Sequence, residues 1–261
     1  MRYVLWIFYW SQHGTDIGLV HRWLYDRVGI LHRDLSPNNI MYRIVNNKVY
    51  GVLTDYDLAS WTESLTSDYT KTSQQRTGTP PFMAFGLLDG TDALHLYRHD
   101  VESLFYVMLI TATHYEIQPR RTGEAGGMRM RQGELPFELW FDEPSYEKIA
   151  IFKKCFLWDL KYLDLSPTFE DFRGWLVKLQ ISFNRGLLCA MQHKSDEDSM
   201  DSCDEGAPAP FDEETLGGYV DYSALIDPAR HLKGKLKGLV IRYRPQLPPL
   251  QTPTGTAQAG L

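Results

Sequence analysis

The chain has 261 residues, with 27 Lys and Arg against 33 Asp and Glu, a formal charge of −6, and 43% hydrophobic and 13% aromatic residues. That is enough apolar mass for a packed core, and the acidic balance argues against a general nucleic-acid coat, so no nucleic-acid partner is expected. Its three cysteines, Cys155, Cys189 and Cys203, have no CxxC or Cys/His spacing, which excludes a zinc site or disulfide framework and points to a reducing, intracellular compartment, cytoplasmic or nuclear.

The most apolar stretch, Tyr3 to Trp10, is far shorter than the roughly 20 residues that a membrane helix requires. After it, Ser11-Gln12-His13-Gly14 lacks the small-residue cleavage pattern of a secretory signal, so no membrane partner is expected; within the N-terminal segment 1–14, Tyr3 to Trp10 reads as a buried strand or helix end. From Thr15 to Arg27 the apolar residues Ile17, Leu19, Val20, Trp23 and Leu24 recur at helical spacing, and Gly29 follows as a stop signal. Two strands at 40–42 and 49–53 flank Asn46-Asn47-Lys48, the pattern of a hairpin. Residues 59–81 are rich in Ser, Thr, Gln and Gly without apolar period, as expected of a functional or disordered loop.

His99 to Thr111 is apolar nearly all round and predicts a central, buried helix. Gln118 to Gly133, with four arginines and several glycines, reads as an exposed insertion; without interleaved aromatic residues its charges are expected to be solvated rather than to hold an anion. Further helices are expected at Tyr146 to Leu157 and Thr168 to Leu179, the latter with Thr168 as N-cap and Glu170 and Asp171 in the first turn. Ser195 to Glu214 is acidic and poor in apolar residues, as in disordered segments, and 245–261 is similar. The chain thus divides into a lobe at 15–190, an acidic segment at 191–214, an extension of the lobe at 215–244 and a tail at 245–261.

Four local patterns carry chemistry. His32-Arg33-Asp34 with Asn39 matches an H-R-D-x-x-x-x-N catalytic loop, in which Asp34 accepts the proton of an attacking hydroxyl and Asn39 presents an amide oxygen to magnesium. The forked donors of Arg33 suit a phosphate on a neighbouring loop, and Thr70, Thr72, Ser73 and Thr77 are candidate hydroxyls to carry it. Asp55, in Leu53-Thr54-Asp55-Tyr56-Asp57, stands where a D-F-G loop places its main metal ligand, with Asp57 in place of the glycine and expected to stiffen the loop. The stretch 76–86 is similar to the end of an activation segment: Thr79 would position Asp34 and receive substrate, while Gly86 replaces a glutamate, so that an ion pair to later helices is expected to be missing. Asp100 opens the buried helix, where a charge needs hydrogen-bond partners; its place resembles that of a kinase aspartate that accepts backbone N–H bonds from the catalytic loop, which implies a supporting role for His32 and Asp100.

Singly, each pattern has a bland reading: a polar turn, a helix cap or a core N-cap. Together, in this order and spacing, they resemble the fungal-type protein kinase family, with Ser36-Pro37 and Asp57 as shared features and further likeness at 138–141, 146–150 and 213–218. The resemblance spans about Asp16 to Phe183. It implies an α+β, mainly α fold: a protein kinase-like C-terminal lobe with a short β-hairpin beside the catalytic loop. It also implies an ATP-binding transferase that uses Mg2+ to phosphorylate Ser/Thr hydroxyls of a protein substrate, with Asp34, Asn39, Arg33 and Thr79 catalytic and Asp55 and Asn39 holding metal and cofactor. Residues before His32 contain no G-x-G-x-x-G, and the first lysine is Lys48, so the small lobe that grips ATP is expected to be missing or truncated. Two alternatives stay open: a catalytically inactive kinase lobe that binds partners, and a small-molecule phosphotransferase.

Overall fold

A computed structural model describes residues 15–46, 48–62, 78–92, 94–118, 127–159, 163–199 and 210–230. The fold is α+β and mainly helical, with three two-stranded antiparallel sheets among the described residues. No described helix is long and apolar enough to cross a membrane.

Helix α1 (Thr15–Trp23) buries Ile17 and runs into a π-helical turn, Leu24–Val28. Gly29 ends it at φ 73, a left-handed cap open to glycine, and its N–H reaches the Tyr25 carbonyl at 3.1 Å. Strand β1 (Ile30–Leu31) delivers the chain to the loop from His32, which closes with a 3-10 turn at Pro37–Asn39. The expected hairpin follows as β2 (Ile40–Val45) and β3 (Lys48–Leu53), in register from Ile40 opposite Leu53 to Val45 opposite Lys48, with Asn46 left-handed at φ 50 in the turn. The polar stretch after Ala59 does not begin as loop: β4 (Ser60–Trp61) pairs with β1, an unexpected strand that brings together the two ends of the stretch carrying Asp34 and Asp55. Residues 63–77 of that stretch lie outside the described residues.

After α2 (Phe85–Asp89) comes α3 (Tyr97–His114), in which every residue is buried. Its all-round apolar surface is met on several sides: Phe105 stacks on Phe156 and Phe183 at 6.1 and 5.6 Å between ring centroids, and Tyr106 meets Trp140 edge-on at 5.0 Å. Of the insertion expected at Gln118 to Gly133, Gln118 and Gly127–Met130 take part in a hairpin, β5 (Tyr115–Gln118) with β6 (Gly127–Met130), and residues 119–126 lie outside the described ones. Two of its arginines are engaged. Arg129 pairs with Glu116 at 2.8 Å, and Arg131 donates to the Thr113 carbonyl at 2.8 Å and to the carbonyl and carboxylate of Asp164 at 3.1 and 3.2 Å.

Helices α4 (Leu139–Asp142) and α5 (Tyr146–Trp158) follow, α5 capped by the Ser145 hydroxyl. Thr168 is not an N-cap, because it lies inside a 3-10 turn, Pro167–Phe172, and the next helix, α6, runs from Arg173 to Ser199. The boundary expected at 190/191 therefore falls within one helix. The other end of the acidic segment is also structured. The Tyr97 N–H donates to the Glu214 carboxylate at 2.9 Å, and Arg98 Nε donates to the Glu213 carbonyl at 2.7 Å. These bonds, with buried Leu216 and Val220, lead into α7 (Tyr222–Arg230), whose Leu225 carbonyl accepts from Trp175 Nε1 at 2.8 Å. Residues 200–209 and 231–261, the expected tail included, lie outside the described residues.

Because Phe105 joins α3 to both α5 and α6, Phe105→Ala is expected to lower stability by about 3–5 kcal/mol, measured as the shift in urea unfolding free energy.

Candidate active site

The site is assembled on the first turn of α3. Asp100 is fully buried, and a bare carboxylate there would carry a severe desolvation cost. Its two oxygens are instead surrounded by donors. Oδ2 accepts from the His32 backbone N–H at 2.9 Å and from His21 Nε2 at 2.7 Å; Oδ1 accepts from the Arg33 N–H at 3.2 Å and from His95 Nε2 at 2.9 Å. Burial alone would raise its pKa, but the histidine charge and hydrogen bonds from His95 and His21 outweigh burial and hold the carboxyl well below the usual range. His21 is itself oriented by the Tyr222 hydroxyl from α7.

With two consecutive N–H groups clamped on Asp100, Arg33 takes φ 68, a conformation rare for a side chain of that size. That bend turns His32 and Asp34 to their tasks. His32 is fully buried and its pKa is lowered by burial, so it stands as the neutral ring, with Nδ1 accepting from the Asp34 N–H at 3.4 Å and Nε2 donating to the Thr54 carbonyl at 3.0 Å. Its ring also packs on Tyr56 at 5.0 Å. The Asn39 carbonyl accepts from the Thr54 N–H at 2.9 Å and the Thr54 hydroxyl at 3.2 Å. Asp55 is thereby fixed on both sides and adopts φ 63. Asp57, expected to stiffen this loop in place of glycine, is not at positive φ, so the strained residue of the loop is Asp55 itself.

Asp34 draws in a third segment. Its Oδ1 accepts from the Thr79 N–H at 3.0 Å and the Thr79 hydroxyl at 2.9 Å, and its Oδ2 accepts from Asn39 Nδ2 at 2.9 Å. Asn39 Nδ2 is also 2.9 Å from the Asp34 carbonyl, so the amide nitrogen is committed and the amide oxygen is the ligating atom it has to offer. Asp55 is exposed and adds a carboxylate. Those all-oxygen donors are of the type a hard cation such as Mg2+ takes. Among the described residues no group of three His, Cys, Asp or Glu forms a metal site by itself.

Several residues that hold the Thr79 segment have no counterpart among the sequence expectations. Lys153, fully buried in α5, donates to the Pro80 carbonyl at 3.0 Å and to the Met83 carbonyl, and its ammonium lies 4.3 Å from the Tyr106 ring centroid. Glu102 accepts from the Phe85 N–H at 2.9 Å and the Tyr106 hydroxyl at 2.6 Å. Burial pushes the Glu102 carboxyl up to about 7 and the Lys153 ammonium well down.

The ion pair expected to be lost at Gly86 is replaced nearby. A Cβ at Gly86 would stand 1.8 Å from an Asp92 oxygen, so the glycine makes room for that carboxylate, which pairs with Arg98 and His99, each at 2.9 Å. His99 Nδ1 accepts the Leu96 N–H at 2.8 Å, and burial lowers the ring's pKa to about 3. A neutral His99 still donates Nε2–H to Asp92. Burial of Asp92 acts to raise its pKa, but that bond and the Arg98 charge outweigh it and hold the carboxyl far below its ordinary value. A charged or polar residue inside an apolar helical pattern, such as Lys153 or Glu102, is the signal that could have found these partners. Thr70, Thr72, Ser73 and Thr77, which Arg33 was expected to face, lie outside the described residues.

Residues 17–112 match the family model described as fungal protein kinase, in agreement with the resemblance carried by the motifs. No curated protein matches the chain. The matched stretch contains His32, Arg33, Asp34, Asn39, Asp55, Thr79 and Asp100; Lys153 lies beyond it.

Two outcomes follow from this geometry. Depressed carboxyl pKa values add stability that is present above the unfolded value of 3.8 and lost as pH falls below it. The urea midpoint should therefore drop steeply from about pH 4 downward, and Asp92→Asn should flatten that drop while lowering stability at pH 7. Lys153→Met keeps the apolar stem and removes the donors, leaving two buried carbonyls short of partners; it should cost about 1–3 kcal/mol in equilibrium unfolding.

Proposed function

We propose that this chain, kinase-like over residues 17–112, transfers the γ-phosphoryl group of ATP to a Ser or Thr hydroxyl of a protein, with Asp34 as the base. The observation that carries the reading is the convergence on one carboxylate of Asn39 from the catalytic loop and Thr79 from the segment forty-five residues on. A carboxylate has about four lone-pair sites. At Asp34 two on Oδ1 go to Thr79 and one on Oδ2 to Asn39, so Oδ2 retains a site for the hydroxyl proton of the acceptor.

Three fixed donors also hold the plane of the carboxylate, which is the positioning that phosphoryl transfer requires, since little covalent chemistry is left for the protein to perform. Asn39 and Asp55 are the residues that would hold Mg2+, which, bound with ATP, neutralises the phosphate charge. Thr54, tied to both His32 and Asn39, keeps Asp55 in step with Asp34. The segment from Thr79 to Met83, pinned by Lys153, lies against the base and supports a protein hydroxyl over a small-molecule acceptor.

Purified protein incubated with Mg2+, radiolabelled ATP and a Ser-containing protein should incorporate label. Asp34→Asn should reduce the rate by about 10²- to 10⁴-fold, the range for loss of a general base, while thermal unfolding stays close to that of the parent. Equal rates with and without Asp34 would refute its assignment as base, and an inactive parent protein would refute catalysis by this chain.

A further inference from the structure

Beside the catalytic loop lies a cavity of about 770 Å3. It abuts the candidate base, for Asn38 and Thr79 line it, and Thr79 is the residue bonded to Asp34. Much of the remaining lining is apolar: Val107 and Ile110 of α3, Met130 of β6 and Phe141 of α4. Met130 is 53% and Phe141 45% exposed, so large apolar side chains are held in water at this place. Glu138 and Asp142 stand among them, exposed and without an ion-pair partner among the described residues, and the lining contains no Lys or Arg. Its single histidine, His114, donates Nε2–H to the Pro136 carbonyl, and burial lowers its pKa, so it brings no positive charge at pH 7.

We propose that this groove receives the stretch of the protein substrate flanking the acceptor hydroxyl, as an extended peptide that places a large apolar side chain against Met130 and Phe141 and a Lys or Arg beside Glu138 and Asp142. The proposal rests on the reading of Asp34 as the base, and it adds a substrate class: apolar-and-basic sequences rather than acidic ones. The apolar walls remove a hydrocarbon side chain from water, whereas the two carboxylates select the sign of its neighbour and repel acidic segments. A net charge of −6 on the whole chain favours the same cationic partners at longer range.

The test is binding without nucleotide, so that it does not depend on transfer. A short fluorescein-labelled peptide with a central Ser flanked by Leu and Arg is titrated with the full chain and followed by fluorescence anisotropy, alongside the same peptide with Glu for Arg or with Ser for Leu. The Leu/Arg peptide should bind tightest, and both changes should weaken it. Glu138→Lys with Asp142→Lys should weaken it about tenfold and reverse the preference between Arg and Glu peptides; Met130→Asp should weaken it without altering the melting temperature. Equal binding of all three peptides, tighter binding of the acidic one, or no saturable binding would overturn the proposal. So would a dimer in gel filtration that Met130→Asp converts to monomer, since the groove would then belong to a second copy. Phosphoryl transfer with unselective peptide binding would overturn the groove and leave the role of Asp34 standing. Selective binding by a protein that transfers no phosphate would uphold the groove's preference and remove the catalytic reading alone.

Discussion

The loop that carries Asp34 hangs from one buried carboxylate. Asp100 has no access to solvent, and taking such a group out of water costs several kcal/mol unless donors replace the lost hydration. The donors come from three places that the chain must bring together: His21 on α1, the His32 and Arg33 amides before Asp34, and His95 just before α3. The requirement works in both directions. The fold supplies the carboxylate's partners, and in doing so the carboxylate sets the backbone bend at Arg33 from which His32 and Asp34 take their directions.

A second buried pair performs the equivalent service for the opposite wall of the site. Lys153 and Glu102 do not bond to Asp34; they hold the main chain around Thr79, through the carbonyls of Pro80 and Met83 and the amide of Phe85. Asp100 and Glu102 belong to the same end of α3, so a single helix terminus governs both the loop that carries Asp34 and the segment that bonds to it. A protein interior packed this tightly transmits displacement rather than absorbing it. The rigidity of the core around Phe105 is therefore also the rigidity of the site.

The sequence made α1, the β2–β3 hairpin, α3 and α5 legible because each depends on local periodicity or turn chemistry: Ile17 with Val20 and Leu24, Asn46 between two apolar runs, and the unbroken apolar run around Phe105. The grouping of His32, Asp34, Asn39, Thr79 and Asp100 was legible from the likeness of four local motifs to those of protein kinases. What escaped are features decided at long range. The pairing of Ser60 with Leu31 depends on a partner strand, not on local composition. The continuation of α6 to Ser199 runs through an acidic stretch whose composition argues for disorder, and Glu213 and Glu214 gain order from Arg98 and the Tyr97 amide more than a hundred residues away. Asp92 filling the space over Gly86 is legible only once both are placed in three dimensions.

The hydrogen bond between His21 and Tyr222 links residues 201 apart in sequence, and through His21 it reaches Asp100. A ribosome adding about 5–20 residues per second therefore delivers the catalytic loop on the order of ten seconds before the tyrosine that completes its support. From the addition of Asp100 until that tyrosine is made, the nascent chain holds Asp100 and His21 without the hydroxyl that orients the ring. Asp100 and His21 are thus made before the residue that orients the ring, which arrives with α7.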